Sequence, residues 1–197
     1  MGGMLEKGIV RFSLVLLLIV GGLALSAPWL GLPDPEEVNL AAKLSAPSAQ
    51  HLLGTDHLGR DVLSRLIFGS RVSIGSVFVI LLLIVVFSTL AGTLAGFAEG
   101  AVDNVIMRIC DIFLTFPTLI LAMFFVGVLG TGLTNVIIAI FLTHWAWYAR
   151  IVRGIVLSLK SREFVLAARV AGTSTFRLVA RHILPSLAPQ VLVLSTL

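Results

Sequence analysis

At 197 residues, 58% hydrophobic and only 12% charged, with a mean hydropathy of +1.07, the chain lies outside the composition of soluble domains and must share its core with lipid. The formal charge of +4 and pI near 10 are not spread evenly: seven cations (Arg150, Arg153, Lys160, Arg162, Arg169, Arg177, Arg181) face one acid, Glu163, between residues 150 and 181, net +6, leaving −2 elsewhere. A basic block beside a hydrophobic segment marks a cytoplasmic membrane loop, so nucleic acid is not expected as a partner, and a single cysteine, Cys110, excludes an internal disulfide or a cysteine metal cluster.

In chain order, residues 1–30 read as a cytoplasmic tail and a first spanning helix. Residues 12–30 are nearly all apolar and follow Lys7 and Arg11, which favours a cytoplasmic N-terminus. A cleaved signal peptide is the competing reading, since Ala24 and Ser26 have the spacing of a cleavage site. The Met-Gly-Gly start carries Glu6 where a lipidation motif needs Ser or Thr.

Residues 31–71 turn polar, with Pro33, Pro35 and Pro47 breaking any long helix, and form an extracytoplasmic loop. Within it, residues 54–61 nearly spell a phosphate-binding loop. Arg60 stands in place of its lysine, however, and Asp61 would repel phosphate, so an ATP-driven pump would need its energy source on another polypeptide. Residues 72–97 are long enough to span, and Ser88, Gly92, Gly96 and Gly100 repeat at four-residue spacing, which predicts close helix approach. A short polar connection over 99–108 leads to a span over 109–129, with Arg108 and Asp111 as a local ion pair and Pro117 as a kink. A turn at Gly130 and Gly132 leads to a fourth span over 133–149.

Residues 163–185 read as a helix, turn, helix elbow. Phe164, Ala167, Ala168 and Ala171 share one face of the first helix. Gly172 ends it, Ser174 caps the second helix, and Phe176, Val179, Ala180 and Ile183 share a face until Pro185 interrupts. A peripheral helix lying on lipid is the alternative. Counting spans from a cytoplasmic N-terminus puts the elbow in the cytoplasm, in agreement with the charge.

The elbow resembles the cytoplasmic loop of ABC-importer permeases, Glu-Ala-Ala, three residues, Gly, nine residues, Ile-x-Leu-Pro. Ala167, Ala168, Gly172, Leu184 and Pro185 match in register, while Leu166 replaces the family's Glu, with Glu163 one turn earlier, and His182 its Ile. Gly54, Thr55, Asp56, Gly59, Arg60, Asp61, Ser64 and Arg65 resemble an extracytoplasmic motif of the dipeptide, oligopeptide and nickel branch of these permeases. His144, Trp145, Trp147, Tyr148, Ala149 and Arg150 are similar to a run in its nickel-permease members.

The resemblance implies an all-α, polytopic helical membrane protein with a type I ABC-importer permease fold, broken off within a fifth span that starts near residue 187. It implies a transport core over 72–197 and no enzymatic activity in this chain. The partners would be a second homologous permease, cytoplasmic ATPases carrying ATP and Mg, and an extracytoplasmic substrate-binding protein, in the bacterial cytoplasmic membrane. Glu163, Ala167, Ala168, Gly172, Leu184 and Pro185 would couple to the ATPase, and Asp111, His144 and Trp145 would be pathway residues. The cargo would be nickel or a nickel chelate, with dipeptides or oligopeptides as the alternative. No resident metal site is expected. His144 alone holds nickel weakly, and the reading as a hydrogen-bonded residue beside an aromatic belt is favoured over a pathway ligand; His51 and His57 could touch a metal in transit or be ordinary loop histidines. An ion-coupled secondary transporter would show an internal repeat, which is not evident, and a non-transporting scaffold would tolerate a broken elbow.

Overall fold

A computed structural model describes residues 2–194, with side chains from residue 8 onward. Met1, the Glu6 and Lys7 side chains invoked above, and residues 195–197 of the expected fifth span lie outside the described residues. Within these bounds the chain is helical, with one isolated antiparallel bridge between Thr55 and Asp61. It divides into two compact units, Met1–Val77 and Phe78–Leu197.

The first unit holds α1 (Gly2–Ser26), two 3-10 turns (Ala27–Trp29 and Leu40–Ala42) and the start of α2 (Val62–Ala98). Residues Gly8–Trp29 have the length and hydropathy to cross a bilayer, and most of their apolar side chains are exposed, as lipid-facing groups must be. The helix expected from residue 72 begins ten residues earlier, at Val62. Asp61 is the reason: its Oδ1 accepts the Ser64 N–H at 2.7 Å, the side-chain bond of a helix N-cap. The loop is correspondingly shorter. At 37 residues α2 is about 55 Å long, well beyond the roughly 30 Å of a hydrocarbon core.

The second unit is built around α5 (Leu133–Lys160), against which α3 (Gly100–Thr115), α4 (Thr118–Leu129) and α8 (Leu184–Leu194) pack. The expected single kinked span over 109–129 is two helices bent by 92° at Phe116–Pro117. Pro117 therefore starts α4 rather than kinking a continuous helix, because its extended predecessor, Phe116, cannot keep helical backbone. The polar connection over 99–108 reduces to Glu99, the remainder being helical. The fourth span does not stop at residue 149: α5 runs on to Lys160, so Arg150, Arg153 and Lys160 are helix residues.

Small residues set the approach of α2 to α5. Ser88 Oγ donates to the Trp145 carbonyl at 2.9 Å, and a Cβ on Gly92 would lie 2.5 Å from the Ala149 carbonyl, a separation no side chain tolerates. Gly96 faces Val156 in the next turn. Gly100 does not continue this ridge: it meets no neighbour and instead adopts a φ of +60° in the turn to α3. One core cluster gathers Val152, Val156 and Leu159 of α5 with Val165, Leu178, Ile183 and Leu187; a second joins Cys110, Trp145, Ala146 and Ala149.

Candidate coupling elbow and pathway residues

After α5 the chain forms α6 (Glu163–Val170), a turn, α7 (Thr175–Leu178), a π-helical segment (Val179–Ile183) and α8. Gly172, at φ +77°, closes α6: its N–H donates to Arg169 O at 3.0 Å and the Thr173 N–H to Ala168 O at 3.1 Å, the paired bonds of a Schellman turn. Ser174 precedes α7 in extended conformation but makes no side-chain cap; its carbonyl instead accepts from Leu178 N–H at 2.9 Å. Pro185 does not interrupt the helix. It lies in the first turn of α8, and the π segment before it relieves the clash its ring would make with the Arg181 carbonyl four residues back.

The elbow is anchored on one side and bare on the other. Val165 is fully buried, Ala168 packs partly against the same cluster, and Leu178 and Ile183 complete the anchor. The expected shared face of Phe176, Val179, Ala180 and Ile183 is thus divided, since Phe176 is 82% exposed. Val170 is 89% exposed, and Phe164, Ala167 and Ala171 are also on the surface. Glu163 is exposed at the start of α6, and Leu184 is half-buried. Exposed Arg162, Arg169, Arg177 and Arg181 surround these apolar groups.

The other three cations of the basic block are paired to acids across helices. Arg153 clamps Asp103 through two contacts of 2.5 Å, Arg150 reaches Asp111, and Lys160 donates to Glu99 at 2.6 Å. Asp111 therefore pairs with Arg150 of α5 rather than with Arg108, its neighbour one turn away. The Asp111–Arg150 pair is about half exposed. A charge pair that is not buried inside a membrane protein must face water, a pathway or a neighbouring subunit.

His144 directs Nδ1 at the Ile140 carbonyl and at Thr143 Oγ1, both at 2.9 Å. A carbonyl can only accept, so Nδ1 carries a proton, and the neutral form of the ring keeps its lone pair on Nε2. Trp145 is 6% exposed and meets Phe87 and Phe113 edge-on, at 5.1 and 5.5 Å; this is core packing within the chain. Among the described residues no cluster of three His, Cys, Asp or Glu could hold a metal.

The motif over residues 54–65 is a knot of backbone and side-chain bonds. Asp56 Oδ1 accepts the N–H groups of Leu58 and Arg60, and Oδ2 accepts Arg60 Nε at 2.9 Å and an Arg65 guanidinium nitrogen at 2.5 Å. Partial desolvation opposes ionisation of Asp56, but the arginine and backbone bonds outweigh it and hold the carboxyl well below its ordinary range. Asp61, desolvated yet bonded by Ser64 and by His51 Nδ1 at 2.9 Å, is also held low. Gly59, at φ +74°, lies so close to Asn39 that a Cβ would be 1.7 Å from its carbonyl oxygen. Thr55 Oγ1 donates to the Ala42 carbonyl and accepts the Ser45 N–H, and Gly54 N–H donates to His51 O at 2.8 Å. His51 is thereby a structural partner of the motif.

Residues 88–197 match the family described as the binding-protein-dependent transport system inner membrane component. The nickel transport system permease protein NikC of Escherichia coli (strain K12) is 51% identical over 188 residues, covering 95% of this chain and 68% of that protein. The metal-staphylopine import system permease protein CntC of Staphylococcus aureus (strain NCTC 8325 / PS 47) is 37% identical over 97% of this chain and 66% of its own length. The di/tripeptide transport system permease protein DppC of Pseudomonas aeruginosa (strain UCBPP-PA14) is 42% identical over 98% and 65%.

Proposed function

Because the chain belongs to the binding-protein-dependent transport system inner membrane component family, we propose that it carries nickel, as the ion or a chelate, into the cytoplasm as one permease of an ATP-driven importer. The observation that carries the cargo assignment is the 51% identity to a nickel permease over nearly the whole chain, against 37–42% for the metal-chelate and peptide permeases. A dipeptide cargo is the second reading, favoured by the peptide permeases among the relatives.

In this reading a second permease completes the pathway, a binding protein delivers cargo from outside, and ATP with Mg is bound and hydrolysed on separate subunits. The chain contributes no covalent chemistry. Its elbow offers Phe164, Ala167, Val170 and Phe176, bare and ringed by arginines, as the surface that seats on the ATPase, while Val165, Leu178 and Ile183 fasten it to α5 and α8. Displacement of the elbow would then be carried into the spans as a rigid-body change between inward and outward access. Asp111, on a pair that faces away from the core, and His144, with an acceptor nitrogen, are the pathway residues; Trp145 supports them from within. The N-terminus is placed in the cytoplasm, by the charge distribution of the sequence.

Nickel-63 uptake by cells expressing the full-length chain with its partner subunits tests the assignment, with unlabelled nickel and a dipeptide mixture as separate competitors. Competition by nickel alone is expected. Competition by dipeptides alone would move the cargo to the second reading.

A further inference from the structure

Lys160 is the last residue of α5, three residues before the elbow, yet its side chain is only 15% exposed. Its ammonium donates to the Phe97 carbonyl at 3.0 Å and to Glu99 Oε1 at 2.6 Å, and it sits 5.1 Å from the centroid of the Phe97 ring. The Phe97 carbonyl lies in the last turn of α2, where helix carbonyls lack internal partners and a cation is favourable. Glu99 is the single residue between α2 and α3, at φ +55° and ψ −176°, a backbone region that only glycine enters without cost. Gly100 follows at φ +60°. Such a conformation persists only where its surroundings over-determine it; here the Glu99 N–H donates to the Ala95 carbonyl at 3.3 Å and its carboxylate is bonded by Lys160.

The elbow reaches the same place. Arg169 of α6, with Thr173 and Thr175, lines a cleft of about 300 Å³ that Lys160 and Phe97 close from the other side, and the Arg169 charge acts on Glu99. Lys160 thus ties the end of α5 to the strained joint of α2 with α3, beside a cleft that the elbow lines.

We propose that Lys160 is a positioning residue for transport, holding the Glu99 joint in its strained setting so that displacement of the elbow is passed into α2 and α3. The proposal rests on the coupling reading above. An ordinary stabilising ion pair would contribute to folding alone and would need neither the strained residue nor a second acceptor at the end of α2.

The test uses the full-length chain assembled with its partner permease, ATPases and binding protein in proteoliposomes, reading nickel-63 accumulation and ATP hydrolysis together. If wild type accumulates only a labelled dipeptide, that is the probe. Lys160→Met should leave hydrolysis within about two-fold while accumulation falls on the order of ten-fold, inside the range of coupling between sites. Lys160→Arg, which keeps a cationic donor for both acceptors, should retain most of the transport. Parallel loss of hydrolysis and accumulation, a Lys160→Arg variant as impaired as Lys160→Met, or unchanged accumulation in Lys160→Met would each overturn the proposal. Ala167→Asp, on the exposed face of α6, separates the two claims. Accumulation that survives Ala167→Asp removes the coupling reading and the proposal with it, whereas loss there beside normal accumulation in Lys160→Met overturns the positioning role alone.

Discussion

At the scale of single residues, the motif over residues 54–65 shows how much of a sequence pattern can be fold rather than chemistry. Gly59 has no room for a Cβ, since one would overlap the Asn39 carbonyl, and its φ is left-handed. Gly59→Ala should therefore destabilise the loop by about 3 kcal/mol, read as a lower thermal midpoint in detergent and earlier proteolysis between residues 31 and 61. Asp56 adds a pH dependence. Its folded carboxyl is held below the ordinary 3.8, so its stabilisation is fully present above that value and is lost as pH falls through the depressed one. Pepsin should spare the loop at about pH 4 and cut it in stronger acid, whereas Asp56→Asn should be cut already at about pH 4. The helix start at Val62 was missed: Asp61 is a good N-cap residue, but its bond is to the Ser64 backbone N–H, which any residue except proline offers, so nothing else in the sequence marked the start. The partner of Asp111 was missed as well. Arg108 is one turn away in sequence, and Arg150, 39 residues distant, is brought near only by the packing of α3 on α5.

At the scale of elements, hydropathy located the apolar stretches but gave poor boundaries. Cations at residues 150, 153 and 160 looked like the start of a loop because charge is costly in lipid. The cost is met across the helix pair, by Asp111, Asp103 and Glu99, so α5 continues. The most closely held of these pairs, Arg153 with Asp103, should show coupling in a double-mutant cycle. Arg153→Met alone leaves a nearly buried carboxylate unpaired and should cost about 2–3 kcal/mol, while Arg153→Met with Asp103→Leu should recover at least half of it, measured as thermal midpoints. The bend at Pro117 was legible as a disturbance but not as a 92° break, since a proline in a membrane segment is compatible with either. Pro185 misled in the other direction. It suggested an end to the helix, and a π segment carries the chain past it. The elbow's turn was the best-defined feature of the sequence, because Gly172 meets a conformational requirement that few other residues can satisfy. Which face of the elbow is bare was not, as Phe176 carries the same hydrophobic signal whether it is buried or exposed.

At the scale of the whole molecule, composition fixed a membrane protein, and motif and relatives agree on an importer permease. The proposed sidedness, drawn from the four exposed arginines on the elbow and the span count of the sequence, is open to a direct check. Because Cys110 is buried, single cysteines introduced at Ser161 and at Ser48 can be labelled against a quiet background. A membrane-impermeant maleimide should label position 48 on intact cells and position 161 only after permeabilisation. The central claim is that the elbow couples ATP use to transport. Its most direct test is ATP-dependent nickel-63 uptake into vesicles carrying the complete importer with Ala167→Asp in this chain, a change on the exposed side of α6 that leaves the Val165 anchor intact. The account predicts normal insertion and complex content in the membrane with uptake reduced to the level seen without ATP. Uptake equal to wild type at equal protein content would contradict it.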